Sequence, residues 1–170
     1  MDDARTVDTT WAEPASNRFE AALKDGFVTQ ATQPVVREEL ISKYAPEWAS
    51  QFAGKLSMNQ LRRFFAEVKG IGERAKEGQP FERLLPRVQL VWAQAAHAAG
   101  KKSSADRVPA EFVEFVRASV QRVKTREDLD AFVAVFEAVV GHFVYAEKQR
   151  EDGRAMQRGR DRHSNQGGRR

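Results

Sequence analysis

Side chains able to run acid–base or nucleophilic chemistry are few in this chain, and they are scattered. The histidines His97, His142 and His163 fall in three different segments. None stands at the i, i+4 spacing, or beside a carboxylate, that would put two metal ligands on one helix face. Glu137, with Gly141 and His142, interrupts the otherwise apolar run AFVAVFEAVVGHFVYA, and Ser103 and Ser104 lie in a polar loop with no base placed by spacing. Gly70 and Gly72, in KGIGER, sit inside a helical pattern rather than in a loop that cradles phosphate. The chain has no cysteine, which removes disulfides, thiolate nucleophiles and cysteine-ligated zinc together. The expectation is a protein that is not an enzyme, with no catalytic residue, metal or cofactor.

Cationic side chains are the other chemistry the sequence offers. The formal net charge is +4, but its distribution is uneven. Residues 1–54 carry 5 Lys/Arg against 9 Asp/Glu, residues 55–107 carry 11 against 5, residues 108–150 carry 6 against 7, and residues 151–170 carry 6 against 3. A basic middle and tail suit a polyanionic partner, although a charge run alone also describes a solvated face. Arg62 and Arg63 stand near a helix start, where the backbone dipole gives a cation nothing. At about 100° per residue, Arg62 shares a flank with Lys69, two turns on, while Arg63 falls with Ala66, Gly70 and Arg74 toward the back. Arg83, Arg87, Gln94, His97 and Lys101 make a polar stripe in the next segment, and Lys101 and Lys102 follow its end, where cations suit the dipole. Most phenylalanines fall on core stripes, so the pattern favours contact with a phosphate backbone over stacking on bases.

These cations need rigid carriers, and the sequence supplies helices. No run alternates apolar and polar as a strand would, and Gly, Pro and capping residues cut the chain into pieces of helical period. A short helix is predicted around NRFEAALKDG. A second runs from Pro34 to Tyr44, interrupted before Pro46, and PEWASQFAG adds two turns closed by Gly54. The clearest helix spans Met58 to about Lys76. Ser57 and Gln60 form a capping box before it, Leu56 and Leu61 a hydrophobic staple, and Leu61, Phe64, Phe65, Val68 and Ile71 an apolar stripe. Gly70 and Gly72 leave open whether its second half holds.

From Pro80 to Ala99 the apolar side is Leu84, Leu85, Val88, Val91, Trp92, Ala95 and Ala99, with Pro86 implying either a late helix start or a kink. A helix from about Pro109 to Lys124 presents Phe112, Val113, Val116 and Val120, and Thr125 with Asp128 caps a last, apolar helix suited to a bundle centre. The sequence thus predicts an all-α fold, a small helical bundle of about five main helices with short extra N-terminal helices and disordered ends. Its parts are a mobile acidic N-terminus (1–15), a single helical-bundle domain (16–150) and a disordered basic tail (151–170). MDDARTVDTT has no basic n-region or apolar h-region, and no stretch of ~18 uninterrupted apolar residues occurs, so a cytoplasmic protein without membrane contact is expected.

Three stretches, KLSMNQLRRFFAEVKGI, LLPRVQLVWAQAAHAAGKK and DAFVAVFEAVVGHFVYAEK, resemble in order and spacing the signature regions of the small subunit of the type III-A (Csm) CRISPR effector complex. The likeness covers roughly residues 55–150. It implies an antiviral, RNA-binding ribonucleoprotein subunit that stacks in several copies along guide RNA and target RNA and packs against the other Csm subunits, with no nuclease activity of its own. It also implies that Arg62 belongs to the RNA-facing basic surface and that Lys101 occupies a basic position where arginine is usual. Arg62, Arg63, Lys69, Arg83, Arg87, Lys101 and Lys102 are therefore the candidate nucleic-acid contacts, Arg62 foremost. The alternative is a helical protein–protein scaffold that self-associates through acidic and basic faces without RNA. A hydrolase using Glu137 and a histidine has the least support.

Overall fold

The Ser57 hydroxyl accepts the Gln60 backbone N–H at 3.2 Å, and the Gln60 side chain accepts the Ser57 N–H at 2.9 Å. This reciprocal cap answers two of the unpaired donors that every helix start leaves. The helix it opens, α3, runs Met58–Lys76 as expected, and it is unbroken at Gly70 and Gly72. Gly72 is buried, and a Cβ added there would stand 3.0 Å from the Val133 side chain. Gly72 therefore serves close helix packing rather than a hinge.

The computed structural model describes residues 16–101, 103 and 107–166. Around α3 are α1 (Ser16–Ala22), α2 (Ala45–Phe52), α4 (Phe81–Ala99), α5 (Ala110–Arg122) and α6 (Arg126–Gln166). Among the described residues β pairing is limited to two isolated bridges, Val28 with Val36 and Ala53 with Leu56. The fold is all-α. Helices α3 and α4 form a hairpin whose turn contains Gly78 at φ +91°; α5 packs on α4 and α1, while α6 packs on α2 and α3. The expected mobile N-terminus, residues 1–15, lies outside the described residues.

The core is one continuous cluster with an aromatic centre. Phe115 touches the rings of Phe19, Trp48, Phe52, Phe112 and Phe136 at centroid separations of 5.3 to 6.2 Å. It so joins α1, α2, α5 and α6 through apolar burial plus edge and tilted ring contacts. Helix α6 is apolar nearly all round because it is gripped from two sides. Leu129, Phe132, Val135, Phe136, Val139 and Phe143 are buried beneath α2 and α3. Among the described residues, α6 is long and apolar enough to cross a membrane, with a window of mean hydropathy 1.6; its buried phenylalanines account for that composition.

Three elements differ from expectation. The helix expected to stop before Pro46 does not stop. A π turn over Leu40–Tyr44, in which the Ala45 N–H reaches back five residues to the Leu40 carbonyl, leads directly into α2. Proline has no N–H to give and its ring crowds the carbonyl four residues back, and the wider turn relieves both faults. Second, of the two readings left open at Pro86, the late helix start is excluded: Pro86 lies within α4, which begins at Phe81 and continues to Ala99 as one helix. The cost is one backbone bond near the N-terminal end. Third, α6 extends over residues 151–166, where composition suggested disorder. Adding a residue to an existing helix avoids the nucleation cost that defeats an isolated segment.

Candidate nucleic-acid interface

The predicted cations are carried by α3 and α4, and the packing of those helices sorts them into groups. Phe65 projects toward α6, where its ring meets Phe136 at 5.7 Å, and the Lys69 ammonium lies 5.8 Å from the Phe65 ring centre. Arg62 shares this α6-side shoulder of the helix with Lys69, about two turns or roughly 10 Å away along the axis. Arg63 falls on the other shoulder. Its guanidinium sits 5.2 Å from the Phe64 ring centre, and it lines a groove between α3 and α4.

That groove has a volume of about 560 Å³. Arg63 and Glu67 line it from α3, and Leu90, Gln94, His97 and Lys101 from α4 and its end. The structure therefore brings Arg63 together with Lys101, from opposite ends of the hairpin sequence, and leaves Arg62 and Lys69 across the helix. Arg83 and Arg87 are exposed and continue the α4 stripe away from the groove, the whole stripe from Arg83 to Lys101 spanning about 27 Å at 1.5 Å per residue. Lys102 lies outside the described residues. The six described candidates form two lines rather than one patch.

Pairing distinguishes these cations from others in the molecule. Arg62, Arg63, Lys69, Arg83, Arg87 and Lys101 make no ion pair among the described residues. Arg117, by contrast, holds Glu20 at 2.6 Å and Glu114 at 2.8 Å. Glu67 is the one carboxylate among the described residues lining the groove and sets their balance at two formal positives against one negative. Leu90 is 56% exposed there, so the groove also has an apolar wall.

Two aromatic side chains that sequence pattern assigned to apolar stripes are open to solvent, Trp92 at 37% and Tyr145 at 63%. Trp92 stands nine residues from Arg83, which is half a turn around the helix at about 100° per residue. Aromatic and cation therefore face opposite sides of α4. Such an arrangement can hold a phosphate chain electrostatically and offers no base platform beside it.

The groups that suggested acid–base chemistry are separated. His97 lines the α3–α4 groove, while His142 lines another groove of about 340 Å³ beside Pro46 and Tyr145. Glu137 is exposed. Among the described residues no three of His, Asp and Glu gather as a metal would require.

No curated protein and no solved structure matches the chain. The family model described as Csm2 Type III-A matches residues 36–149, from the bridge at Val36 to the turn of α6 beside Gly54. The match takes in α2 to α5, most of α6 and all three stretches that carried the sequence resemblance. The chain belongs to the Csm2 Type III-A family, the small subunit of the type III-A CRISPR Csm complex.

Proposed function

We propose that this chain is the non-catalytic, RNA-backbone-contacting small subunit of its Csm complex, several copies stacking along the duplex of guide and target RNA. The observation that carries it is the groove in which Arg63 and Lys101 make no ion pair among the described residues, on a helical hairpin. Cations left without internal partners are free to neutralise phosphates and release counterions, which binds nucleic acid without regard to sequence. Arg63 can meet two phosphate oxygens with its planar fork, while Lys101 acts as a point charge.

The test is coexpression with the other Csm subunits and guide RNA, followed by copy counting and target RNA titration across salt. Several copies should enter the assembly. Arg63→Ala with Lys101→Ala should weaken target binding about tenfold or more and lower the slope of log affinity against log salt by about 1.5. A separate pair, Arg62→Ala with Lys69→Ala, reports on the other shoulder. Failure to incorporate, or affinity and salt slope unchanged in both pairs, would overturn the proposal. Self-association that weakens as salt rises and is indifferent to RNA would favour a charge-paired protein scaffold instead.

A further inference from the structure

The family match ends at residue 149, yet α6 continues to Gln166. The extension rises about 25 Å beyond Arg150 at 1.5 Å per residue. Its root is held to the bundle. Glu147 accepts the backbone N–H of Gly54 and pairs with Arg150 at 3.4 Å, and the Arg150 guanidinium lies over Gly54, filling the space a Cβ would need. Gly54 itself has φ +75°, a conformation that suits glycine and lets the turn pass beneath the arginine.

Above this root the arm carries one charged stripe. Arg150, Arg154 and Arg158 recur every fourth residue, so their positions climb one side of the helix at about 6 Å per step. Together with Gly153 and Gln157 they line a shallow hollow of about 470 Å³. Gly153 has nothing within 4 Å of where its Cβ would be, so the helix surface between Arg150 and Arg154 is open to close approach. Arg154 and Arg158 are exposed and make no ion pair among the described residues. Every cation of residues 151–170 is arginine and none is lysine. Arginine is the cation whose fork matches phosphate oxygens, and arginine-rich segments are a recurrent RNA-binding device.

We infer that residues 150–166 form a second phosphate-binding arm, separate from the α3–α4 groove, which grips the backbone of RNA through Arg154 and Arg158. The inference rests on the reading of the chain as an RNA-backbone binder and adds a site outside the family's matched span. Arg150 is the pivot that fixes the arm's direction.

The experiment measures binding of the full chain to an RNA duplex by fluorescence anisotropy over a salt series. Arg154→Ala with Arg158→Ala should lower the log–log salt slope by about 1.5, the share of two phosphate contacts, and Arg154→Lys with Arg158→Lys should restore most of it. Both exchanges are on solvent-exposed positions, and circular dichroism will report whether the helix is kept. An unchanged slope in the alanine pair, while Arg63→Ala with Lys101→Ala lowers it, would overturn the arm and leave the proposed function standing. No binding by the unaltered chain would overturn the arm, and a slope insensitive to this pair, to Arg63→Ala with Lys101→Ala and to Arg62→Ala with Lys69→Ala would overturn both. Loss of incorporation into the Csm complex with an unchanged RNA slope would assign the arm to an acidic protein surface and so overturn the phosphate assignment.

Discussion

Two regions of this molecule use the same residue types in opposite ways. On the side where α1, α2, α5 and the end of α6 meet, cations are spent inside the fold. Arg117 joins Glu20 of α1 to Glu114 of its own helix, Lys55 pairs with Glu111, Arg37 donates to the Ala22 and Gly26 carbonyls, and Arg150 covers Gly54. On the α3–α4 hairpin, Arg62, Arg63, Lys69, Arg83, Arg87 and Lys101 have no carboxylate partner among the described residues. The hairpin does not need them for packing, since its contacts are Leu61, Phe64, Val68, Leu84, Val88 and Val91, all buried. The difference teaches that a cation's role follows from whether a neighbouring element offers it an acceptor. A paired arginine holds elements in place, while an unpaired one on a stiff helix keeps its charge for another molecule.

The sharpest way to break this contrast is to remove what the bonded side is built around. Phe115→Ala should cost about 3–5 kcal/mol in urea unfolding, because five rings lose their shared partner and the site cannot collapse. Lys101→Ala on the hairpin should leave stability within about 0.5 kcal/mol. Gly54→Ala comes next, at about 2 kcal/mol, since alanine is strained at φ +75° and its methyl meets the Arg150 guanidinium. A Gly54→Ala variant as stable as the parent would show that the root of the arm is not fixed as described.

Arg117→Ala should cost about 1–2 kcal/mol, because Glu20 and Glu114 lose a shared, half-buried partner. Burial alone lowers the Arg117 guanidinium's proton affinity, and the hydrogen bonds to Glu114 and Glu20 raise it by more. The group stays charged throughout the working pH range, so the cost should not vary with pH near neutrality. Arg63→Ala should fall below it in thermal melts while exceeding it in loss of RNA affinity; the reverse order would erase the distinction between the two regions.

The smallest effect is expected at Glu111. Partial burial pushes its carboxyl up, but the hydrogen bond and charge of Lys55, with a backbone hydrogen bond, bring the pKa below the ordinary 4.5. A carboxyl depressed in the folded state binds its proton more weakly than in the unfolded chain. Its contribution is therefore present above pH 4.5 and is lost as the pH falls through the lower folded value. The pair faces solvent, so Glu111→Gln should cost at most about 0.5 kcal/mol at pH 7, and that deficit should shrink in melts taken progressively below pH 4.5.

Much of this was legible in the chain itself, and for a local reason. The Ser57–Gln60 box, the Thr125–Asp128 cap, whose hydroxyl accepts the Asp128 N–H at 3.1 Å, and the spacing of Leu61, Phe64, Val68 and Ile71 all depend on residues within a few turns of one another. Backbone donors and helical periodicity are short-range, so sequence neighbours settle them. The continuity of the helix at Pro46 escaped because relief by a π turn depends on how much Leu40 and Ala45 gain from burial, which is a tertiary quantity.

Charge follows the opposite rule. Helical geometry already put Arg62 and Arg63 on different flanks, but sequence alone could not say which flank meets α4, and it favoured Arg62. The antiparallel return of the hairpin then set Lys101 across a groove from Arg63, thirty-eight residues earlier, with Glu67 on the same wall. Nor does any local pattern distinguish Arg117, tied to Glu20, from Arg154, which makes no ion pair among the described residues. The sequence by itself determined the helices, their caps, their buried faces and the family. Only the tertiary structure decided which cations are consumed and which are left, because a salt bridge acts across a few ångströms of space between segments that the chain holds far apart.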